Sequence, residues 1–220
     1  MTTQLRPRPA ERRRSGSLVP VPLILLSLIP LVAGALRLVE IAGGPQVMPA
    51  NPRVEAVPAP VVAHVLGAAG YALVGAFQFP ARFRRHHRTW HRRAGRVLVV
   101  AGLVVALSGL WMTLFYPDAP GGLLLWSVRL VASSAMAAAL VLGSAAIRRR
   151  DISAHRAWMI RAYALGLGAG TQAITEGIGE AVAGSGDLTK AVSMGSAWIL
   201  NALVAEWIVR RPARLRARAA

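Results

Sequence analysis

Two glutamates, two arginines and a histidine lie toward one end of the long apolar blocks of this chain: Glu176, Glu180, Arg37, Arg129 and His64. Spacing by four places Gln172, Glu176 and Glu180 on one helical stripe. An ionised group in hydrocarbon costs on the order of 2.5–3.5 kcal/mol on insertion scales, so each of these needs a partner, a water cavity or an interface. Carboxylates facing guanidinium and imidazole groups make either a buried ion-pair network or a site for a proton or ligand, and the residues alone leave both open. His64, Tyr71 and Gln78 recur at seven-residue intervals. They drift by only about 20° per step and so form a polar track, used for hydrogen bonds between helices or as a proton or substrate path.

A second polar layer holds His86, His87, His91, His155, Arg96, Arg161 and Glu206. His91 and His155 each precede an apolar block at a similar depth. Two neutral imidazoles could ligate a divalent metal or the iron of a b-type haem, with Glu206 as a further metal ligand. Alternatively they cap helices, bind phosphate headgroups beside the neighbouring arginines, or join Glu206 in a hydrogen bond that locks two helix ends. His86 and His87, in the run Arg84-Arg85-His86-His87-Arg88, read as solvated loop residues.

The elements that must position these groups are six apolar blocks: 18–39, 60–80, 97–116, 122–147, 157–180 and 191–209. Each is near the ~20 residues a helix needs to cross a hydrocarbon core of ~30 Å. The expected fold is all-α, a polytopic membrane bundle of six transmembrane helices over 18–209, flanked by a disordered basic tail at 1–17 and a basic tail at 210–220. The first block follows arginines as a signal peptide does, but it exceeds the usual apolar core of about 7–15 residues and reads as an uncleaved helix. Arginines concentrate in the first tail, 81–96, 148–156 and the last tail, whereas 40–59, 117–121 and 181–190 hold only Arg53 and Lys190. This asymmetry puts both termini in the cytoplasm of a multi-pass cell-membrane protein. The proline-rich 45–60 loop should be extended and external. Gly67, Gly70 and Gly75, then Gly95, Gly102 and Gly109, then Gly166, Gly168 and Gly170 mark close helix packing. No broken span is evident, although the glycine-rich fifth one could bend.

Composition supports this frame. The chain is 55% hydrophobic and only 16% charged, against about a quarter charged in soluble domains, so a soluble core is excluded. A net charge of +17 would ordinarily suggest nucleic acid. Most of the basic residues instead adjoin apolar blocks, so the expected partners are the bilayer and its anionic headgroups, with no nucleic acid. Cysteine is absent, which excludes disulfides, thiolate metal sites and cysteine nucleophiles. Phosphate loops, His-Glu-x-x-His and Gly-x-Ser-x-Gly are likewise missing.

Several segments carry a family likeness: His64-Val65-Leu66-Gly67, Gly75-Ala76-Phe77-Gln78-Phe79, His91-Arg92-Arg93-Ala94-Gly95-Arg96, and His155-Arg156-Ala157-Trp158-Met159-Ile160-Arg161 with the following Ala162-Tyr163-Ala164-Leu165. Over roughly 60–180 the chain resembles an uncharacterised bacterial membrane family, domain of unknown function 2306. The resemblance implies a multi-helix membrane protein and supplies no activity. In such proteins the fifth helix often ends with an arginine, where this chain has Thr175-Glu176. Three functions stay open: a protein handling a proton, lipid or small molecule through its polar cluster; a redox protein with haem or metal; and a non-catalytic assembly protein. Enzymatic activity is undecided among them.

Overall fold

The structure, a computed structural model, describes residues 18–118 and 120–217. The expected tail at 1–17 lies outside the described residues. Within them the chain is helical, in the order α1 (Pro20–Ile41), α2 (Pro52–Ala56), α3 (Ala59–Ala76), α4 (Ala81–His86), α5 (Arg88–Phe115), α6 (Gly122–Arg148), α7 (Ile152–Gly166), α8 (Gly168–Ala183) and α9 (Asp187–Ala217). Five helices, α1, α3, α5, α6 and α9, are each long and apolar enough to cross a membrane. Large apolar side chains such as Leu25, Val97, Val131 and Leu203 stand exposed along them. Continuous exposed apolar surface of this kind marks lipid contact rather than a water-facing wall.

The fifth expected span departs from the pattern. It is split at Leu167 into α7 and α8, of 15 and 16 residues, neither of which spans alone. Three glycines explain the break, each occupied by a different neighbour. A Cβ on Gly166 would stand 2.8 Å from the Tyr71 ring of α3, one on Gly168 would meet the Trp198 indole of α9, and one on Gly170 would meet the Leu26 carbonyl of α1. The last contact has a cause within α1. Pro30 has no N–H, so the carbonyl four residues earlier, that of Leu26, is left without its helical donor. Gly170 brings α8 against that freed oxygen, where only a residue without a side chain fits.

The break also frees carbonyls of α7, and α9 captures them. Asn201 Nδ2 donates to Ala164 O at 3.0 Å and Trp198 Nε1 to Leu165 O at 3.3 Å. Asn201 Oδ1 accepts from Thr171 Oγ1 at 2.9 Å, so one amide bridges both halves of the broken helix. Non-helical backbone at membrane depth persists only where protein satisfies it in this way.

Other boundaries shift at the ends. The expected loops contain short helices, α2 in 45–60 and α4 in 81–96, and α9 continues through the start of the expected last tail. The core is formed by α3, α5, α6 and α7 around Tyr71, Leu98, Val105, Met136, Leu140 and Tyr163. Buried hydroxyls return to their own helices, as Ser108 does to Val104 O at 2.6 Å and Thr113 to Gly109 O at 2.7 Å.

Candidate functional site

At the arginine-poor end the expected five-residue ion network is not formed. Arg37 pairs with Glu40, one turn along α1, at 2.8 Å and donates to Pro49 O at 3.0 Å. Glu40 also accepts from Val47 N at 2.8 Å and Met48 N at 2.6 Å, so this pair shapes the 42–51 loop. Glu176 pairs with Lys190 of α9 at 3.0 Å. Glu180 is exposed, and Gln172 is buried with Nε2 3.4 Å from Met194 O. Arg129 makes no salt bridge among the described residues and meets only Met194 Sδ, at 4.0 Å. Lys190 reaches Glu176 from the neighbouring helix, and Arg129 does not. Just past α5, Tyr116 donates to Val57 O at 2.6 Å, and partial burial raises its phenol above the ordinary range and keeps it a donor.

His64 projects from α3 toward α5. Its Nδ1 stands 3.1 Å from Val105 O and 3.0 Å from Ser108 Oγ. The Ser108 proton is already directed to Val104 O, so both neighbours act as acceptors and the imidazole proton belongs on Nδ1. The track below does not continue as a hydrogen-bonded line. Tyr71 is wedged between Gly102 and Gly166, and its ring stacks 5.5 Å from that of Tyr163. Gln78 lies beyond the end of α3, with Nε2 buried and without a hydrogen-bond partner.

In the arginine-rich layer His91 lies on α5 and His155 on α7. His155 Nδ1 donates to Gly143 O at 2.8 Å, and His91 Nδ1 is buried without a hydrogen-bond partner. Glu206 joins neither. It accepts from Arg161 Nε at 2.5 Å and Arg210 Nε at 3.0 Å, so the expected His155–Glu206 bond and the three-ligand metal set do not form. Among the described residues no group of three or more His, Asp or Glu could hold a metal. His86 is not a free loop residue: its Nδ1 donates to Arg82 O at 2.9 Å within α4, and His87 stacks on Phe83 at 4.7 Å.

The feature that the spacing of polar residues did not reveal is a groove of about 500 Å³ where α6, α7 and α9 meet. Small residues form its floor, Ala132, Ala135, Ala139 and Ala202 among them, and Trp198 and Leu165 flank it beside the helix break. Its polar end is the Arg161–Glu206 pair, with the Arg161 guanidinium 4.7 Å from the centre of the Trp158 ring. From Ser127 to Ala139 on α6 the groove runs about 18 Å. Of its lining, the sequence marks Arg161 and Glu206 as polar-layer residues and Trp158 and Leu165 within a family motif; the alanines carry no signal, but Asn201 and Trp198, an amide and an indole inside the last span, point to the α9 face.

A family model described as a predicted membrane protein, domain of unknown function 2306, matches residues 61–209. The match begins inside α3 and extends through most of α9, past the last of the quoted motifs. Neither a curated protein nor a solved structure matches the chain.

Proposed function

The chain belongs to the domain of unknown function 2306 family of predicted membrane proteins, and we propose that this member takes an anionic single-chain amphiphile from the bilayer into the groove between α6, α7 and α9. The observation that carries the reading is the pairing of a long apolar groove with a guanidinium at one end. A volume of about 500 Å³ falls within the ~300–1,000 Å³ of small-molecule sites. The groove length of about 18 Å exceeds half of a ~30 Å hydrocarbon core, the depth of one leaflet.

Lipid tails are as apolar as alanine and leucine, so the walls alone do not favour a ligand over bulk lipid. Selection therefore rests on the polar end. Arg161 and Arg210 share one carboxylate, Glu206, which leaves the cluster one positive charge in excess. A charge-assisted hydrogen bond from Arg161 to a headgroup is worth about 1.5–3 kcal/mol, roughly a tenfold to hundredfold preference. In this reading α7 and α8 cross the bilayer together as the fifth of six spans, both termini are cytoplasmic by arginine placement, and the ligand belongs to the cytoplasmic leaflet. Arg82, Arg84 and Arg85 of α4 would lie among anionic headgroups at the same level.

The test uses oleate as probe and the full chain in neutral detergent. Native mass spectrometry should show one bound oleate, weakened about tenfold or more by Arg161→Gln and abolished by Ala135→Phe, which fills the groove from an exposed position. Equal oleate binding by all three proteins would overturn the proposal.

A further inference from the structure

At the arginine-rich end of the bundle, where α1 begins and α3 ends, lies a pocket of about 320 Å³. Pro20, Phe77 and Phe83 form its apolar side, and Arg82, His86 and His87 its polar side. Pro80, with φ −63° and ψ 116°, is extended and turns the chain off the end of α3 into α4. Phe83 then fixes α4: its ring lies 6.0 Å from that of Phe77, 4.7 Å from that of His87 and 4.9 Å, edge-on, from that of Trp90 on α5. Arg84 is drawn back to Gln78 O at 3.4 Å, while Arg82 stays exposed at the pocket. No Asp or Glu occurs between Glu55 and Asp118, although seven arginines fall between 82 and 96. None of those arginines takes part in a salt bridge among the described residues.

We infer that this pocket holds the headgroup of an anionic glycerophospholipid, with its phosphate on Arg82 and its glycerol and first methylenes against Pro20, Phe77 and Phe83. Aromatic rings and arginines that meet where apolar helices end belong to the membrane interface, the rings at its apolar side and the guanidiniums at its wet side. A guanidinium matches phosphate oxygens two at a time. The apolar side of the pocket selects a lipid over a free phosphate ion, which gains nothing from Phe77 or Pro20. Aromatic rings also attract a choline cation, but Arg82 in the pocket and Arg85, one turn along α4, repel it, so the preferred headgroup carries net negative charge. The pocket shares no residue with the groove between α6, α7 and α9, and the inference does not rest on that groove.

The experiment is native mass spectrometry of the full chain in neutral detergent, with phosphatidylglycerol in one arm and phosphatidylcholine of the same chains in the other. Phosphatidylglycerol should be retained in preference, and Arg82→Gln should weaken its retention about fivefold. Arg156→Gln removes an exposed arginine of α7 outside the pocket, and Arg161→Gln alters the groove; both should leave retention nearly unchanged. Phe77→Ala should weaken it, because the glycerol and methylenes lose their seat, whereas binding by surface charge alone would not respond. Arg82 and Phe77 are both exposed, so these variants keep the fold. Equal retention of the two lipids, a loss in Arg156→Gln as large as in Arg82→Gln, full retention by Phe77→Ala, or displacement of phosphatidylglycerol by an equimolar amount of inorganic phosphate would overturn the inference.

Discussion

Replacing Asn201 by Leu keeps the side-chain volume near its native value and removes the amide that bridges the helix break. Two hydrogen bonds disappear, to Ala164 O at 3.0 Å and from Thr171 Oγ1 at 2.9 Å. They are not equivalent losses. Thr171 can turn its hydroxyl to the carbonyl of Leu167, as Thr175 already does to Thr171 O at 3.2 Å, so that loss is largely recovered. Ala164 O has no such recourse, because the chain breaks three residues later. Hydrogen bonds between membrane helices average about 0.6 kcal/mol and reach about 1.7, while an unsatisfied backbone group in hydrocarbon costs several kcal/mol. Partial rescue by water places the expected loss at about 1–3 kcal/mol. The assay is reversible unfolding in mixed micelles, with Thr171→Val and the double variant completing a cycle. Thr171→Val alone should cost less than Asn201→Leu, and the double variant less than the sum. A change for Asn201→Leu below about 0.3 kcal/mol would refute the reasoning that α9 satisfies the break.

Other predictions follow from the same contacts. Gly170→Val drives a branched side chain into the Leu26 carbonyl and should separate α8 from α1, lowering Tm by more than the same change at Gly177, where a Cβ would meet nothing; equal shifts would remove the Pro30 argument. Reporter fusions after residues 50, 119 and 186 should register the external side and those after 90, 152 and 215 the cytoplasm; an external signal at 215 would mean that α7 and α8 do not cross together. His91 and His155 lack a third ligand among the described residues, so protein expressed with divalent metal supplied should purify without stoichiometric metal. Stoichiometric metal that is lost on replacing both histidines by Gln would reverse that assignment.

Most of the helical frame was legible because hydrocarbon leaves few alternatives: blocks such as 122–147 and 191–209 must be helices to satisfy their own backbone. The break at Leu167 was legible only as a bend in the glycine-rich fifth block, since Gly166, Gly168 and Gly170 read as packing residues until Tyr71, Trp198 and Leu26 are seen to fill them from three helices. Charge type and depth placed Arg161 and Glu206 in one layer but could not pair them, because a period along one helix says nothing about its neighbours. The same limit joined Arg129 to Glu176 on paper, whereas Lys190 takes that carboxylate. Arg37 could have been paired correctly from the sequence, since Glu40 follows it at the i,i+3 spacing that places two side chains on one helix face. The groove was invisible because its wall is made of alanines, which mark a site only when three helices are known to meet around them.

The central claim, that the groove holds an anionic single-chain amphiphile, is most directly tested by photocrosslinking the full chain in bilayers with a fatty acid carrying a diazirine in its tail and mapping the adducts by mass spectrometry. The account predicts adducts concentrated on Val131, Ala135, Ile199 and Ala202, displaced by excess oleate and dispersed in Arg161→Gln. Adducts spread evenly over the exposed apolar residues of α1, α3 and α5, unchanged by oleate or by the arginine substitution, would contradict it.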